Sequence, residues 1–450
     1  MLNQFNNNSI NKKQKAYIRT YGCQMNVNDS EYLIGQLKHL NYTITDDMLR
    51  ANLIILNSCC VRKNVEQKIY SLIGRIKKIK IVKKDLLLGL CGCLAQKEKE
   101  DIFKRFPCVD FILGTSQISN LESTINMLKK SKKKIIDCEN KLKFNLKNTP
   151  IKRNNNISAL VQIMRGCNNY CSYCIVPYTR GPEQSRGVSE ILNEANNLVQ
   201  NGYKEIFLLG QNVNSYGQDL TKSVRFSELL KLLNDINDIV RIRFITSHPK
   251  DLSFDLIKTI KNSDKICNHI HLPIQSGSDK ILKLMNRKYD TNHYKNIVNE
   301  IRDKVDNVSI TTDVMVGFPG ETDKDFSNTL NLFEEIKFDG MYSFIYSNRE
   351  TTVSSLMPNQ IPLQTKKERL WKLSNLQKVI SNKINEKLKG KVVNVLVKGY
   401  SQKNIINQLS GKTDTNKSVI FNGEKGLIGK IVKVRVIESD AWTLFGELVN

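Results

Sequence analysis

The sequence predicts an α/β protein in three parts: an N-terminal open parallel sheet, a central partial (β/α) barrel of the TIM type, and a small C-terminal β-barrel. Three observations predict it. The first part alternates short apolar runs with amphipathic helical stretches, the pattern of parallel strands whose two faces are covered by crossover helices. The second part repeats that strand-and-helix unit six or so times, as a partial or complete parallel barrel would. The last part is a series of short segments punctuated by glycine, the spacing of a small barrel. A length of 450 residues suits about three domains with sizeable cores.

In the first part, expected to span residues 16–138, AYIRT precedes NDSEYLIGQLKHL, LIILN precedes NVEQKIYSLIGRIKK, LLLGL precedes AQKEKEDIFKRF, and VDFILG precedes SNLESTINMLKK. Cys23, Cys59 and Cys93 each follow one of the first three strands, at strand-to-helix turns with small or polar neighbours. Open parallel sheets place their ligand crevice at the carboxyl ends of the strands, so these three cysteines could converge as a metal-ligand set. Each alone would be an ordinary core residue. Cys60 and Cys91 are possible alternates, and Cys108, Cys138 and Cys267 read as structural.

From about Cys138 to Asn156 the charged, aperiodic stretch ENKLKFNLKNTPIKRNNN reads as a linker. The second domain, 157–382, opens with ISALVQIM and continues through EIFLLG, RIRFITS, HIHLPI, VSITTDVMVGFPG and GMYSFIY, with helical stretches between. Functional loops of such barrels lie at the C-terminal ends of the strands. The candidates are Gln211 and Asn212, Ser247 and His248, Gln275 and Ser276, and the GFPGE run that includes Gly317, Pro319 and Glu321. The glycines and proline of GFPGE also suit a plain turn. His269 and His271 alternate on one strand face and read as hydrogen-bonded residues rather than metal ligands.

The run QIMRGCNNYCSYCIVPYTRG carries Cys167, Cys171 and Cys174 in a C-x3-C-x2-C spacing. Three thiolates in one short loop can hold a four-iron, four-sulfur cluster and leave one iron open for chemistry. Zinc normally takes paired Cys-x2-Cys halves, and no second half follows; a zinc site and inert thiols are the alternatives at this point. Gly166 and Gly181 would let the backbone approach a cluster, and Pro177 would stiffen the loop's exit.

A helix-rich connector leads into the third domain, 383–450, which resembles a barrel of the oligonucleotide-binding kind with a basic rim of Lys398, Lys412, Lys430 and Lys433, or a structural cap. The formal charge of +25 points toward a polyanion, although lysine is abundant throughout the chain. Eleven cysteines are too few for a disulfide scaffold, and the polar, asparagine-rich start has no apolar signal region, so a reducing, cytoplasmic protein is expected. No run approaches 18 apolar residues, so no membrane partner is expected.

The motifs YGCQMNVNDS, NSCCVR, GCLAQ, RGCNNYCSYCIVPYTRGPEQSR, LLGQNVNSYG, HLPIQSGSDKILKLMNR and DVMVGFPGET together resemble the methylthiotransferases of the radical S-adenosylmethionine superfamily, from Ala16 to the end. The last region resembles that family's TRAM domain, an RNA-binding barrel. The resemblance implies that Cys167, Cys171 and Cys174 hold a 4Fe-4S cluster whose open iron binds S-adenosylmethionine. Reductive cleavage then yields a 5'-deoxyadenosyl radical. It implies that Cys23, Cys59 and Cys93 hold a second 4Fe-4S cluster that carries or supplies sulfur. Gln211, Ser247, Gln275, Gly317, Pro319 and Glu321 lie where the family holds S-adenosylmethionine. Two departures are Ser58, where threonine is usual, and Cys60 beside Cys59.

QMN after Cys23 and GQNVNSYG resemble the branch that acts on N6-isopentenyladenosine at tRNA position 37. Sister branches act on N6-threonylcarbamoyladenosine or on a ribosomal-protein aspartate. The implied partners are tRNA, a reductant or electron-donor protein and a sulfur donor, with a monomer expected. A nonenzymatic iron-sulfur RNA-binding protein would instead show a fully ligated cluster and no cofactor cleavage. A zinc-dependent RNA-modifying enzyme would need an activated water and a base, and no H-x-E or H-E-x-x-H element is present.

Overall fold

In the computed structural model, residues 13–60, 63–139, 146, 149–153, 155–401 and 407–449 are described. Residues 1–12 of the asparagine-rich leader and half of the expected linker stretch 139–156 lie outside them. The chain divides into two compact units, Met1–Asn154 and Asn155–Asn450.

The first unit is a six-stranded parallel sheet of β1 (Lys15–Tyr21), β2 (Thr43–Ile44), β3 (Leu53–Ser58), β4 (Leu87–Gly92), β5 (Phe111–Leu113) and β6 (Ile135–Asp137), in the order β2-β1-β3-β4-β5-β6. The central strand β3 is buried at every residue, as an uninterrupted apolar run requires when helices cover both faces. Leu33, Leu37, Leu53, Ile55, Phe111 and Ile125 form part of one core. The edge strands β2 and β6 have only two and three residues, too short to leave a periodic signal. AQKEKEDIFKRF, expected as one helical stretch, is broken at Lys99, whose φ of 44° ends the helix Cys93–Glu98 before Asp101–Arg105 begins.

The second unit opens with β7 (Ser158–Gln162), the short pair β8 (Met164–Arg165) and β9 (Gln184–Ser185), then β10 (Glu205–Leu209), β11 (Arg241–Phe244), β12 (His269–His271), β13 (Ser309–Val316) and β14 (Gly340–Ile345). Parallel sheets β7-β10-β11 and β12-β13-β14 are joined by a parallel bridge between Ile242 and Ile266. Six parallel strands thus follow one another in chain order, with at least one helix in every crossover, which is a partial (β/α) barrel. One strand face carries Ala159, Val161, Ile206, Leu208, Ile242, Phe244, Ile310 and Val314 into a core with helix residues such as Ile191, Leu229, Val298 and Phe333. The alternate face, with Leu160, Phe207, Thr311 and Asp313, is the barrel side.

The helix Leu363–Glu386 leads to β15 (Val392–Tyr400), β16 (Gln408–Thr413), β17 (Ser418–Asn422), β18 (Ile431–Ser439) and β19 (Thr443–Leu448). They close into a barrel in the order β15-β16-β17-β19-β18 around Val395, Val397, Leu409, Val419, Phe421, Val434 and Leu444. Arginines of β11 fasten it to the larger barrel. Arg241 donates to the carbonyls of Lys412 and Asn394, and Arg243 to those of Thr413 and Asp414 while its Nε bonds Glu205 at 2.8 Å. Lys398 bonds Glu205 and Ser158, and Lys412 bonds Asn416 and Ser418. Of the four lysines expected on a basic rim, only Lys430 and Lys433 are exposed; the other two are turned into packed contacts because their strand faces abut other chain segments.

Candidate functional site

The C-x3-C-x2-C loop runs between β8 and β9, whose antiparallel pairing brings its ends together. Gly166 has a φ of 77°, and a Cβ there would stand 1.9 Å from the Pro182 carbonyl oxygen, so the loop's entry needs glycine. Cys167 N–H donates to the Gly181 carbonyl at 3.2 Å, and Cys174 N–H to the Cys171 carbonyl at 2.9 Å. The residues that follow the helix Asp279–Leu284 stitch the loop down. Ser172 N–H donates to Met285 O at 3.0 Å, and Asn286 Nδ2 to Tyr170 O at 3.0 Å.

Two sulfurs receive N–H donors: Asn169 Nδ2 lies 3.4 Å from Cys167 Sγ, and Arg287 Nη1 lies 3.4 Å from Cys171 Sγ. Burial pushes the Cys167 thiol up, and burial with the neighbouring Cys171 pushes Cys174 up to about 12. Such thiols ionise only beside a cation, and a metal centre supplies one. The donor set therefore fits a cationic iron-sulfur group. Among the described residues no three His, Cys, Asp or Glu side chains are grouped to hold a single ion. A cluster of several irons would not need three side chains to meet at one ion, so Cys167, Cys171 and Cys174 would suit it where a single zinc would not be held.

Gln211 meets the loop directly, its Oε1 accepting the Gly166 N–H at 2.6 Å. Asn212 Nδ2 donates to Asp251 at 2.7 Å. Ser247 is buried with its Oγ hydrogen-bonded to nothing among the described residues. Beside it, His248 packs edge-on against Tyr289, and burial with the nearby Arg287 and Lys250 drives its imidazole down to about 2, so it is neutral. Gln275, with φ 71°, extends the parallel pairing to β13 by donating to Asp313 O and accepting from Met315 N. Ser276 Oγ accepts the Ser278 N–H at 3.2 Å.

In the GFPGE run, both carboxylate oxygens of Glu321 accept the Gly317 N–H, at 3.0 and 3.1 Å, and Arg369 pairs with the same carboxylate at 2.7 Å. Pro319 is buried. Phe318 meets Tyr173 of the cysteine loop edge to face, with centroids 6.5 Å apart, which brings the two loops together. Sequence reasoning did not single out Arg287, Tyr289 or Arg369. Arginine and tyrosine are common, and nothing local marks one that will reach a sulfur or a carboxylate far away in the chain.

In the first unit, strand register sets the second trio side by side. Tyr21 pairs with Ser58 and Ser58 with Gly92, so Cys59 and Cys93 directly follow, and Cys23 follows by two residues, the aligned ends of adjacent strands. Cys23 Sγ is 3.4 Å from Asn26 Oδ1; Asn26 Nδ2 in turn reaches Asn57 Oδ1 at 3.3 Å. Cys23 is exposed, whereas Cys59 and Cys93 are buried. The Cys60 thiol hydrogen-bonds Cys93, and that bond together with burial pushes it well up. Cys91 is buried within the sheet and pushed up by burial. No disulfide joins any of the eleven cysteines, all of which are described.

The partial barrel and its three-cysteine loop define a radical S-adenosylmethionine enzyme, and residues 161–333 match the Radical SAM superfamily. Residues 15–114 match the Uncharacterized protein family UPF0004, and 386–449 the TRAM domain. The chain is 48% identical to the tRNA-2-methylthio-N(6)-dimethylallyladenosine synthase of Clostridium tetani, over 98% of this chain and 97% of that one. It is 46% identical to the protein of the same name from Thermoanaerobacter pseudethanolicus, over 98% and 94%. The chain belongs to this family of methylthiotransferases. Membership of the superfamily implies a 4Fe-4S cluster and S-adenosylmethionine. Among solved structures, the radical S-adenosylmethionine methyltransferase TsrM from Kitasatospora setae, with tryptophan substrate and a cofactor analogue, shares the fold at a TM-score of 0.56 and 10% identity, over 76% of this chain and 75% of that one. No helix among the described residues is long and apolar enough to cross a membrane.

Proposed function

We propose that the chain transfers a methylthio group to carbon 2 of N6-isopentenyladenosine at position 37 of tRNA, giving 2-methylthio-N6-isopentenyladenosine and using two S-adenosylmethionine molecules. The observation that carries this reading is the near-complete, 48% identical match to a relative bearing that activity in its name. Carbon 2 of adenine is unactivated toward side-chain acids and bases, and the iron-sulfur group with S-adenosylmethionine, when bound, supplies the radical chemistry this position needs.

In this reading the chain's own residues bind and orient. Cys167, Cys171 and Cys174 hold the first cluster, with Arg287 and Asn169 stabilising the thiolates. Cys23, Cys59 and Cys93 hold a second 4Fe-4S cluster, favoured by their alignment on adjacent strand ends. Gln211, Ser247 and Gln275 contact S-adenosylmethionine; the open Ser247 Oγ favours this. Gly317, Pro319 and Glu321 complete that site, with Glu321 shaping the loop rather than lending a spare oxygen, since Gly317 and Arg369 both engage it. The functional divisions are 16–138 for the sulfur-supplying cluster, 157–382 for radical chemistry and 383–450 for RNA binding, working as a cytoplasmic monomer with a reductant and a sulfur donor.

The test is anaerobic reconstitution, iron counting, and assay with S-adenosylmethionine, reductant and isopentenylated tRNA. About eight irons per chain, with deoxyadenosine and methylthiolated adenosine as products, are expected of two four-iron clusters. About four irons and neither product would favour an RNA-binding protein without this activity. Cys171→Ala is expected to abolish deoxyadenosine formation while keeping one cluster. Cys59→Ala is expected to lose the other cluster and methylthiolation while S-adenosylmethionine is still cleaved; full activity in it would refute the second site.

A further inference from the structure

The barrel side of β12, β13 and β14 carries a connected polar group that the cluster and S-adenosylmethionine assignments do not use. His269 Nε2 lies 2.9 Å from Thr311 Oγ1, His271 Nδ1 lies 3.0 Å from the same oxygen, and His271 Nε2 lies 3.3 Å from Asp313 Oδ1. With each imidazole carrying a single proton, one arrangement satisfies every contact. His269 donates to Thr311, Thr311 donates to His271 Nδ1, and His271 Nε2–H donates to Asp313. His269 fits it, because burial, with Arg243 and His271 nearby, pushes its imidazole well down and keeps it neutral. The chain of bonds thus ends on a carboxylate whose side chain is 29% exposed and which has acceptor capacity left.

Asp313 is register-paired with Tyr342 on β14, the edge strand. Tyr342 is 60% exposed, and its ring stands edge-on to His271 at 5.7 Å. An exposed tyrosine on an edge strand alone would mean little. Here an open aromatic face adjoins a carboxylate oriented from behind by His271, which is the equipment for a planar base with an N–H on its edge. β13 runs from Asp313 toward the GFPGE loop, which touches the cysteine loop through Phe318 and Tyr173. Asp313 precedes Val316 by three residues, about 10 Å of strand.

We propose that Tyr342 and Asp313 seat the target adenine, with Tyr342 stacking on the ring and Asp313 accepting the single N6–H that an N6-alkylated adenine retains. This rests on the reading that the substrate is N6-isopentenyladenosine. Carbon 2 is separated from the carbon that bears N6 by the ring nitrogen N1, so a base held only through its N6–H leaves carbon 2 itself uncovered and open toward the cysteine loop. Asp313 and Tyr342 are then specificity-determining residues, and His271 is a positioning residue.

The test uses the full, reconstituted chain and two labelled anticodon stem-loops, one with N6-isopentenyladenosine and one with N6-isopentenyl-N6-methyladenosine, which has no N–H. The native protein is expected to prefer the first by about tenfold or more, as a hydrogen bond to a carboxylate warrants. Asp313→Ala is expected to bind both within about twofold. Tyr342→Leu, at an exposed ring, is expected to weaken both loops about tenfold, with Tyr342→Phe close to native. An unchanged preference in Asp313→Ala, or weaker binding of S-adenosylmethionine rather than of the loops, would overturn the seat while leaving the proposed function standing. If the native protein fails to methylthiolate the first loop, that reading falls and the proposal with it.

Discussion

Arg287 donates from Nη1 to Cys171 Sγ at 3.4 Å, although the two residues stand 116 positions apart in the chain. The same guanidinium bonds Tyr289 Oη at 2.8 Å and Pro273 O at 3.1 Å. One buried cation therefore ties the cysteine loop to the segment that follows β12.

Arg287→Met is expected to loosen a cluster on this loop without removing a ligand. Partners that orient metal ligands typically contribute ten- to a hundredfold in affinity, so iron release to a chelator should quicken by about tenfold. The measurement is made in a Cys59→Ala background, so that only the loop's iron is followed. Release at the native rate would show that the arginine only packs.

Gly166→Ala and Gly181→Ala separate steric need from backbone preference. Both glycines have a φ of 77°, but the added Cβ meets Pro182 O at 1.9 Å in the first and nothing within 4 Å in the second. Loss of loop iron is expected for Gly166→Ala, and a smaller loss for Gly181→Ala, where only the conformation, about 1–3 kcal/mol, is opposed. Iron per chain in the same background checks both.

Arg369→Met should destabilise the second unit by about 3–5 kcal/mol, because it strands the buried Glu321 carboxylate. Denaturant unfolding followed by Trp371 fluorescence would measure it; Trp371 is two residues away on the same helix.

A pH dependence follows from Glu205. Burial pushes its carboxyl up, but the Arg243 guanidinium and Lys398 ammonium outweigh burial and hold it at about 2 against an ordinary 4.5. The unfolded chain takes up the proton first. The stability from this group is therefore complete above pH 4.5 and is lost as pH falls toward 2. That is about 3 kcal/mol in all. Glu205→Gln should be less stable at pH 7 and show a shallower decline between pH 5 and 3, read by denaturant midpoints across that range.

Much of this was legible in the chain. Apolar runs such as LIILN and FLLG announced parallel strands, and the positions of Cys23, Cys59 and Cys93 after them announced a shared edge, because strand ends align in a parallel sheet. The break at Lys99 was not legible, since lysine is a good helix former and nothing in the neighbouring sequence marks the positive φ that this exposed residue takes. Nor was the inward turn of Lys398 and Lys412. Alternation tells which face of a strand a lysine shares, but a second domain against that face leaves no local trace. Arg369 is the same lesson at 48 positions' remove from Glu321.

The fastening of the small barrel by Arg241 and Arg243 has a consequence for how RNA would be met. Both arginines grip main-chain carbonyls, which cannot rotate away as side chains do. A module held in this manner does not swing out to fish for a strand and deliver it. The placement of the exposed Lys430 and Lys433 relative to the larger barrel is therefore set in advance, as on a fixed gauge.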